Sequence, residues 1–177
     1  MRQAVLAATV DLLTTQGLAA TTVAAVARAA GVHETSVYRR WRTRENLIFD
    51  ALATHSDTAL PAPDTGDVRT DLSLLFAALA RYLATPAGSA LLHLGTVRGE
   101  SDLEEGRRSY WQARLERAET LVRRGIDRAE LPADTDPHLL VEAIAGPLLA
   151  RVLLTGEPLE ATLVPRLVDL VLDGART

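Results

Sequence analysis

Apolar residues recur along this chain at spacings of three and four, and no stretch shows the alternation of two that a half-buried strand requires. Leu6, Val10 and Leu13 set the pattern, and Leu47, Ile48, Ala51, Leu52 and His55 repeat it. So do Leu72, Leu75, Phe76, Leu79 and Leu83. The breaks between these stretches carry glycine or proline: Gly17, Gly31, the run Leu60-Pro61-Ala62-Pro63-Asp64-Thr65-Gly66, Pro86, Leu131-Pro132 and Gly156. Composition points the same way, because 29 Ala and 30 Leu favour helix while 14 Val and 3 Ile leave little for strands. The expectation is an all-α fold of about nine helices.

Helix ends are readable as well. Thr22 is placed to cap a short second helix that Gly31 ends, residues 34–40 make a third, and a fourth runs through Leu47 and His55. A fifth is expected over 68–84, a sixth from Pro86 to Arg98, and a long charged seventh over 103–128. Asp136, followed by Pro137 at the first helical position, opens an eighth that reaches about Leu154. Glu157-Pro158 opens the last, which ends at Gly174. Pro147 and Pro165 fall inside helical patterns and predict a kink or a broken start.

The formal net charge of -4 conceals a division. Residues 1–55 carry six Arg against four acids, a net of +2, and residues 56–177 carry thirteen against nineteen, a net of -6. Two domains with that boundary, 1–55 and 56–177, are expected. Every basic residue is Arg, and four of them crowd into Arg39-Arg40-Trp41-Arg42-Thr43-Arg44. Such a run by itself reads as a solvated helix face. Its position changes that reading.

The second helix, the Gly31 turn and the third helix match a helix-turn-helix, in which the later helix reads DNA. Ala27 and Ala30 are small where the two helices cross, and Val32 and Val37 can fill the space beneath. The start of the third helix presents His33, Glu34, Thr35 and Ser36, short polar groups able to reach base edges in the major groove. Tyr38, Arg39, Arg40, Arg42 and Arg44 follow within reach of phosphates, while Trp41 is assigned to the core.

The stretch from Val5 to Leu52 resembles the N-terminal DNA-binding domain of the TetR family of bacterial transcriptional regulators. The resemblance rests on Gly17-Leu18, Thr21-Thr22-Val23, Val26-Ala27, Ala29-Ala30-Gly31-Val32, Ser36-Val37-Tyr38, Trp41 and Arg44-Glu45-Asn46-Leu47. It implies a TetR-like architecture: a three-helix DNA-binding domain with its helix-turn-helix, then a larger helical domain for ligand binding and dimerisation. It further implies that Thr22 holds a phosphate, that the Tyr38 hydroxyl reaches the DNA backbone, and that Arg44 clamps another phosphate. Glu34, Thr35 and Ser36 take the variable base-reading positions. Arg42 stands where the family often has proline, and only Arg2 remains of the basic arm that precedes helix 1 in many relatives.

Ala129-Glu130-Leu131-Pro132, Asp136-Pro137, Gly146-Pro147-Leu148-Leu149-Ala150-Arg151 and Leu154-Thr155-Gly156-Glu157-Pro158-Leu159 resemble a C-terminal domain common in actinobacterial TetR-like proteins. The eighth helix is apolar nearly all round and the ninth on two adjacent sides, so both need cover. Two such helices from each subunit can form a two-fold, four-helix interface, assigned here to Leu140, Ile144, Leu148, Val152, Leu163, Leu167, Leu170 and Val171. The family resemblance implies an effector pocket between helices five and eight. Its candidate lining is Phe76, Leu79, Tyr82, His93, Tyr110, Trp111, Arg114, Pro147 and Arg151, with Arg98, Arg114 or Arg151 available to an anion.

Catalysis is disfavoured. The four His (33, 55, 93 and 138) are scattered, no phosphate-binding glycine loop or nucleophile elbow occurs, and Asp134-Thr135-Asp136 reads as loop and cap. Without cysteine there is no disulfide, thiolate metal site or thiol nucleophile. No metal, cofactor or membrane partner is expected, and the protein is expected in the cytoplasm. The functional expectation is a homodimeric repressor, released from a palindromic double-stranded DNA operator by a small-molecule effector. The alternative is a ligand-binding or interaction module with a vestigial helix-turn-helix, which would form no palindrome-specific complex.

Overall fold

Capping side chains open several of the helices in the computed structural model. It describes residues 1–60, 62–96 and 101–174, with side chains at 1–57, 60, 62–94 and 107–174. The elements are α1 (Arg2–Ala20), α2 (Val23–Ala29), α3 (Glu34–Trp41), α4 (Arg44–Ala59), α5 (Val68–Leu83), α6 (Pro86–Thr96), α7 (Ser101–Asp127), α8 (Pro137–Ala150) and α9 (Leu163–Gly174). A π-helical turn, Arg151–Thr155, extends α8. No strand occurs among the described residues, and the all-α expectation holds.

The caps act as expected. The Thr22 hydroxyl accepts the Ala25 N–H at 3.1 Å, and Asp136 accepts the N–H groups of His138 and Leu139 at 2.9 and 3.2 Å. Gly17 adopts φ +82° and ψ 173°, so helical geometry stops there, although residues 18–20 coil once more. Pro147 does not break α8; the irregularity comes later, where the Gly156 N–H reaches back five residues to the Arg151 carbonyl at 2.8 Å. The last helix starts at Leu163, five residues beyond Pro158. Pro165 then falls in its first turn, where a missing N–H leaves no hydrogen bond unmade.

The chain forms two compact units. The first comprises residues 1–59 and 85–104, so α6 joins the N-terminal helices across an intervening stretch of sequence. Its core gathers Val5, Leu6, Leu12, Val23, Val26, Ala27, Val37, Trp41, Leu47 and Ala51. Helix α4 packs along α1, and α6 packs on both. Full burial of one such Val or Leu contributes about 1.5–3 kcal/mol, so this core can hold short helices that would not persist alone.

The second unit comprises residues 60–84 and 105–177. Here α5 packs on α9 and α8, which also pack on each other. Leu72, Phe76, Leu121, Val122, Ile144, Leu148, Val168 and Leu172 are among its most buried apolar side chains. Gly125 lets α7 approach α5 closely, because a Cβ there would lie 2.7 Å from Val68 Cγ2. Beyond it, the Glu130 N–H reaches the Gly125 carbonyl and the Ala129 N–H reaches that of Ile126, both at 2.9 Å, with Ala129 at φ +58°. Glu130 also accepts the Val68 N–H at 2.6 Å, tying this helix end to the start of α5.

Candidate nucleic-acid interface

A tight turn aims the reading helix. The Val32 N–H donates to the Ala27 carbonyl at 2.9 Å, and Gly31 takes φ +65°, which a residue with a Cβ rarely adopts. Ala27, 2% exposed, is small enough to sit under the crossing. Val37 and Trp41, four residues apart, place the inner face of α3 in the core. Its other face is thereby fixed outward: His33, Glu34, Thr35, Arg39 and Arg40 are exposed, Tyr38 is 50% exposed, and Ser36 is half-buried. Thr22 lies exposed at the head of α2 and Arg42 lies exposed just past α3. The predicted reading residues thus lie at the start of α3 and along its outer face.

The end of α3 is anchored by a residue that sequence reasoning missed. Asp50 of α4 accepts the Trp41 indole N–H at 2.8 Å through one carboxylate oxygen and pairs with Arg2 at 2.8 Å through the other. A single acid nine residues beyond Trp41 belongs to no motif, so no pattern could have flagged it. Arg2, at the start of α1, therefore reaches across to α4. The Arg40 guanidinium stands 5.5 Å from the Trp41 ring centroid. Arg42, with φ 61° and ψ -45°, is the centre of a γ-turn closed by the Thr43 N–H on the Trp41 carbonyl at 2.6 Å. Proline, held near φ -65°, cannot take this path.

Arg44, expected to clamp a phosphate, makes hydrogen bonds within the head. Its Nε donates to the Thr21 carbonyl at 2.7 Å, and its Nη2 donates to the Leu18 carbonyl. The guanidinium is turned onto the chain's own backbone.

The comparisons with known proteins agree with this geometry. Residues 5–51 match the family described as bacterial regulatory proteins, tetR family, and residues 62–171 match the tetracyclin repressor-like C-terminal domain. The chain belongs to the TetR family. It is 37% identical to the HTH-type transcriptional regulator AqdR of Rhodococcus erythropolis, over 98% of this chain and 84% of that protein. It is 30% identical to the DNA-binding transcriptional repressor TetR of Mycobacteroides abscessus, over 96% of this chain and 90% of that one. The crystal structure of the TetR-family regulator SCO0332 superposes with a TM-score of 0.87 at 33% identity, covering 98% of this chain and 97% of the other. As a TetR-family member, the protein is a DNA-binding transcriptional regulator, with α2, the Gly31 turn and α3 as its helix-turn-helix.

The effector candidates of this TetR-type C-terminal domain separate on the structure. His93 lies exposed on α6, in the first unit, and its Nδ1 is 2.7 Å from the Ser89 carbonyl. The others belong to the second unit, and Arg98 lies outside the described residues. Phe76 and Tyr82 are buried on α5; Leu79, Tyr110, Trp111, Arg114, Pro147 and Arg151 are half-buried. Tyr110 and Trp111 meet edge to face at 4.9 Å, and Arg114 donates to the Tyr110 hydroxyl at 3.3 Å while lying 5.5 Å from that ring's centroid. Burial raises the Tyr82 pKa well above the ordinary phenol value, a nearby Tyr110 adds to this, and Arg114 opposes it. Arg151 is committed to the π turn, donating to the Pro158 carbonyl at 2.7 Å and pairing with Glu157 at 3.4 Å.

The expected interface residues divide too. Leu140, Ile144 and Leu148 are already covered within the chain's own core, so they have no surface left to give a partner. Val152, Leu163, Leu167 and Val171 are half-buried, and Leu170 is 71% exposed. The outward apolar residues of α8 and its π turn are instead Leu139 (63% exposed) and Leu154 (82%), with exposed Ala143 between them. Helical phase separates Leu139 and Ala143 from Leu140, Ile144 and Leu148, but in a helix apolar nearly all round it does not say which set turns inward.

Proposed function

We propose that this TetR-family regulator is a cytoplasmic homodimer that represses transcription from a palindromic operator and is released by a small-molecule effector bound in its C-terminal unit. The observation that carries the dimer is the apolar segment Pro137–Thr155, of which only 22% is buried within the chain. Helix α8 holds its inner face in the core and its His138 against α7, so its outward surface is free to meet a two-fold mate. Leu139, Ala143 and Leu154, with Leu170 of α9, form that surface in this reading. A two-fold dimer presents two copies of α3 to half-sites about 34–36 Å apart.

DNA is held by Thr22, Tyr38, Arg39, Arg40 and Arg42 at phosphates, and His33, Glu34, Thr35 and Ser36 address base edges. The cluster of Tyr82, Tyr110, Trp111 and Arg114 supports an effector site with one cationic group and aromatic walls. An effector that favours a different separation of the two heads lowers operator affinity by its differential affinity for the two spacings. The name of the M. abscessus relative supports repression over activation.

Mobility-shift titration on DNA upstream of the protein's own coding region, at stated salt, tests the reading. A palindrome-specific complex is expected, and Arg40→Ala should weaken it about tenfold or more at fixed salt. Equal binding to specific and scrambled DNA would favour the vestigial-module alternative.

A further inference from the structure

We infer that Arg44 is a positioning residue that closes the helix-turn-helix onto itself and leaves the phosphates to other side chains; the inference rests on the DNA-binding reading above. Thr21 and Arg44 bracket the reading motif, one immediately before Thr22 and the other at the first residue of α4. The 2.7 Å hydrogen bond from Arg44 Nε to the Thr21 carbonyl therefore joins the two ends of the segment that holds α2, the turn and α3. Nη2 adds a second bond to the Leu18 carbonyl, and Nη1 lies 3.9 Å from the Glu45 carboxylate. Two of the three guanidinium nitrogens are thus hydrogen-bonded to the head's own backbone, and the third faces the Glu45 carboxylate.

The acceptors explain why a guanidinium suits this place. Gly17 interrupts α1, so the carbonyls after it sit at a helix end, unpaired in part and carrying the negative pole of the helix. A planar fork can bridge two such carbonyls, whereas an ammonium is one point charge on a flexible stem. The Thr21 side chain is itself buried, with its hydroxyl on the Gly17 carbonyl at 2.9 Å, so the stretch of backbone that Arg44 grips is fixed from inside as well. With the guanidinium so placed, Arg44 acts on DNA affinity through the set of α2 and α3.

The test uses full-length protein, thermal unfolding, and operator affinity measured across a salt series for Arg44→Ala, Arg44→Lys, Arg44→Gln and, for comparison, Arg39→Ala. Arg44→Ala is expected to lower Tm by about 4 °C and to reduce affinity about tenfold at every salt, leaving the log–log salt slope unchanged. Arg44→Lys should not restore Tm, because it lacks the fork. The neutral Arg44→Gln, with amide donors for one carbonyl, should recover part of both. Arg39→Ala should keep its Tm and flatten the slope by about 0.9 for each phosphate that its guanidinium neutralises in the wild type. A flattened slope with unchanged Tm in Arg44→Ala, or full recovery by Arg44→Lys, would overturn the inference. The milder Lys and Gln variants decide the matter even where Arg44→Ala does not fold. Absence of any specific wild-type complex would instead remove the DNA reading, and the Tm comparison would still decide whether Arg44 is a brace.

Discussion

Ala129 holds a backbone conformation, φ +58°, that side chains bearing a Cβ avoid. It does so because the two carbonyls at the end of α7 are satisfied only if the chain reverses there. Left-handed geometry costs an L-residue roughly 1–2 kcal/mol, part of which glycine gives back in unfolded-chain entropy. Ala129→Gly is therefore expected to stabilise the protein by about 0.5–1 kcal/mol, read as a higher denaturant midpoint at constant m-value. An unchanged or lower midpoint would count against the strain assigned to this residue. Neither Ala129 nor Arg42 was legible in the sequence as a left-handed residue, because glycine is the usual marker and here the fold imposes the conformation. Gly17 and Gly31 were legible for the same reason in reverse. Arg44 was legible as a charge but not in direction, since backbone carbonyls leave no trace in a pattern of side chains.

Between helices, one imidazole links α7 to α8. His138 Nδ1 lies 2.8 Å from Glu119 of α7 and Nε2 lies 3.2 Å from Glu142, while Arg123 grips the other Glu119 oxygen. The bond to Glu119 is the main cause of a His138 pKa raised above its ordinary 6.5, helped by Glu142 and Asp136 and opposed by burial. Its stabilising contribution is thus complete below pH 6.5 and disappears as pH climbs through the raised value. Glu119 is shifted the other way, chiefly by the same bond, so its contribution is present above 4.5 and lost as pH falls through its lowered pKa. The link between the helices is strongest in the mildly acidic interval between those limits. From about pH 6 to about pH 8, Tm of the wild type should fall relative to His138→Gln, and parallel curves would refute the link. Helix positions themselves were readable because period and cap are local properties. The orientation of α8 was not, because a helix apolar all round gives periodicity no way to choose which apolar face turns inward.

For the whole molecule, that orientation decides what holds two chains together. In the proposed dimer, Leu139→Glu or Leu170→Glu places a charge on the outward surface and should yield a monomer of unchanged helicity in sedimentation, with weakened operator binding. Ile144→Ala belongs to the other face and should cost about 2–5 kcal/mol of stability without that selective loss of the dimer. A dimer surviving both glutamates would place the interface elsewhere. The charge contrast between residues 1–55, net +2, and residues 56–177, net -6, was visible in the sequence, as was the family carried by Thr22, Gly31 and Tyr38. Which residues complete the head was not, because the packing of α6 on α1 and α4 is long-range in sequence.

That return of α6 to the N-terminal unit bears on how such regulators can be recombined. A gene spliced once near residue 56 would separate a reading head from residues 85–104, a part of its own body, and graft it to a foreign substitute. Shuffling of operator specificity between relatives in this architecture therefore needs either two exchanged segments or a donor whose sixth helix already fits the recipient's first and fourth.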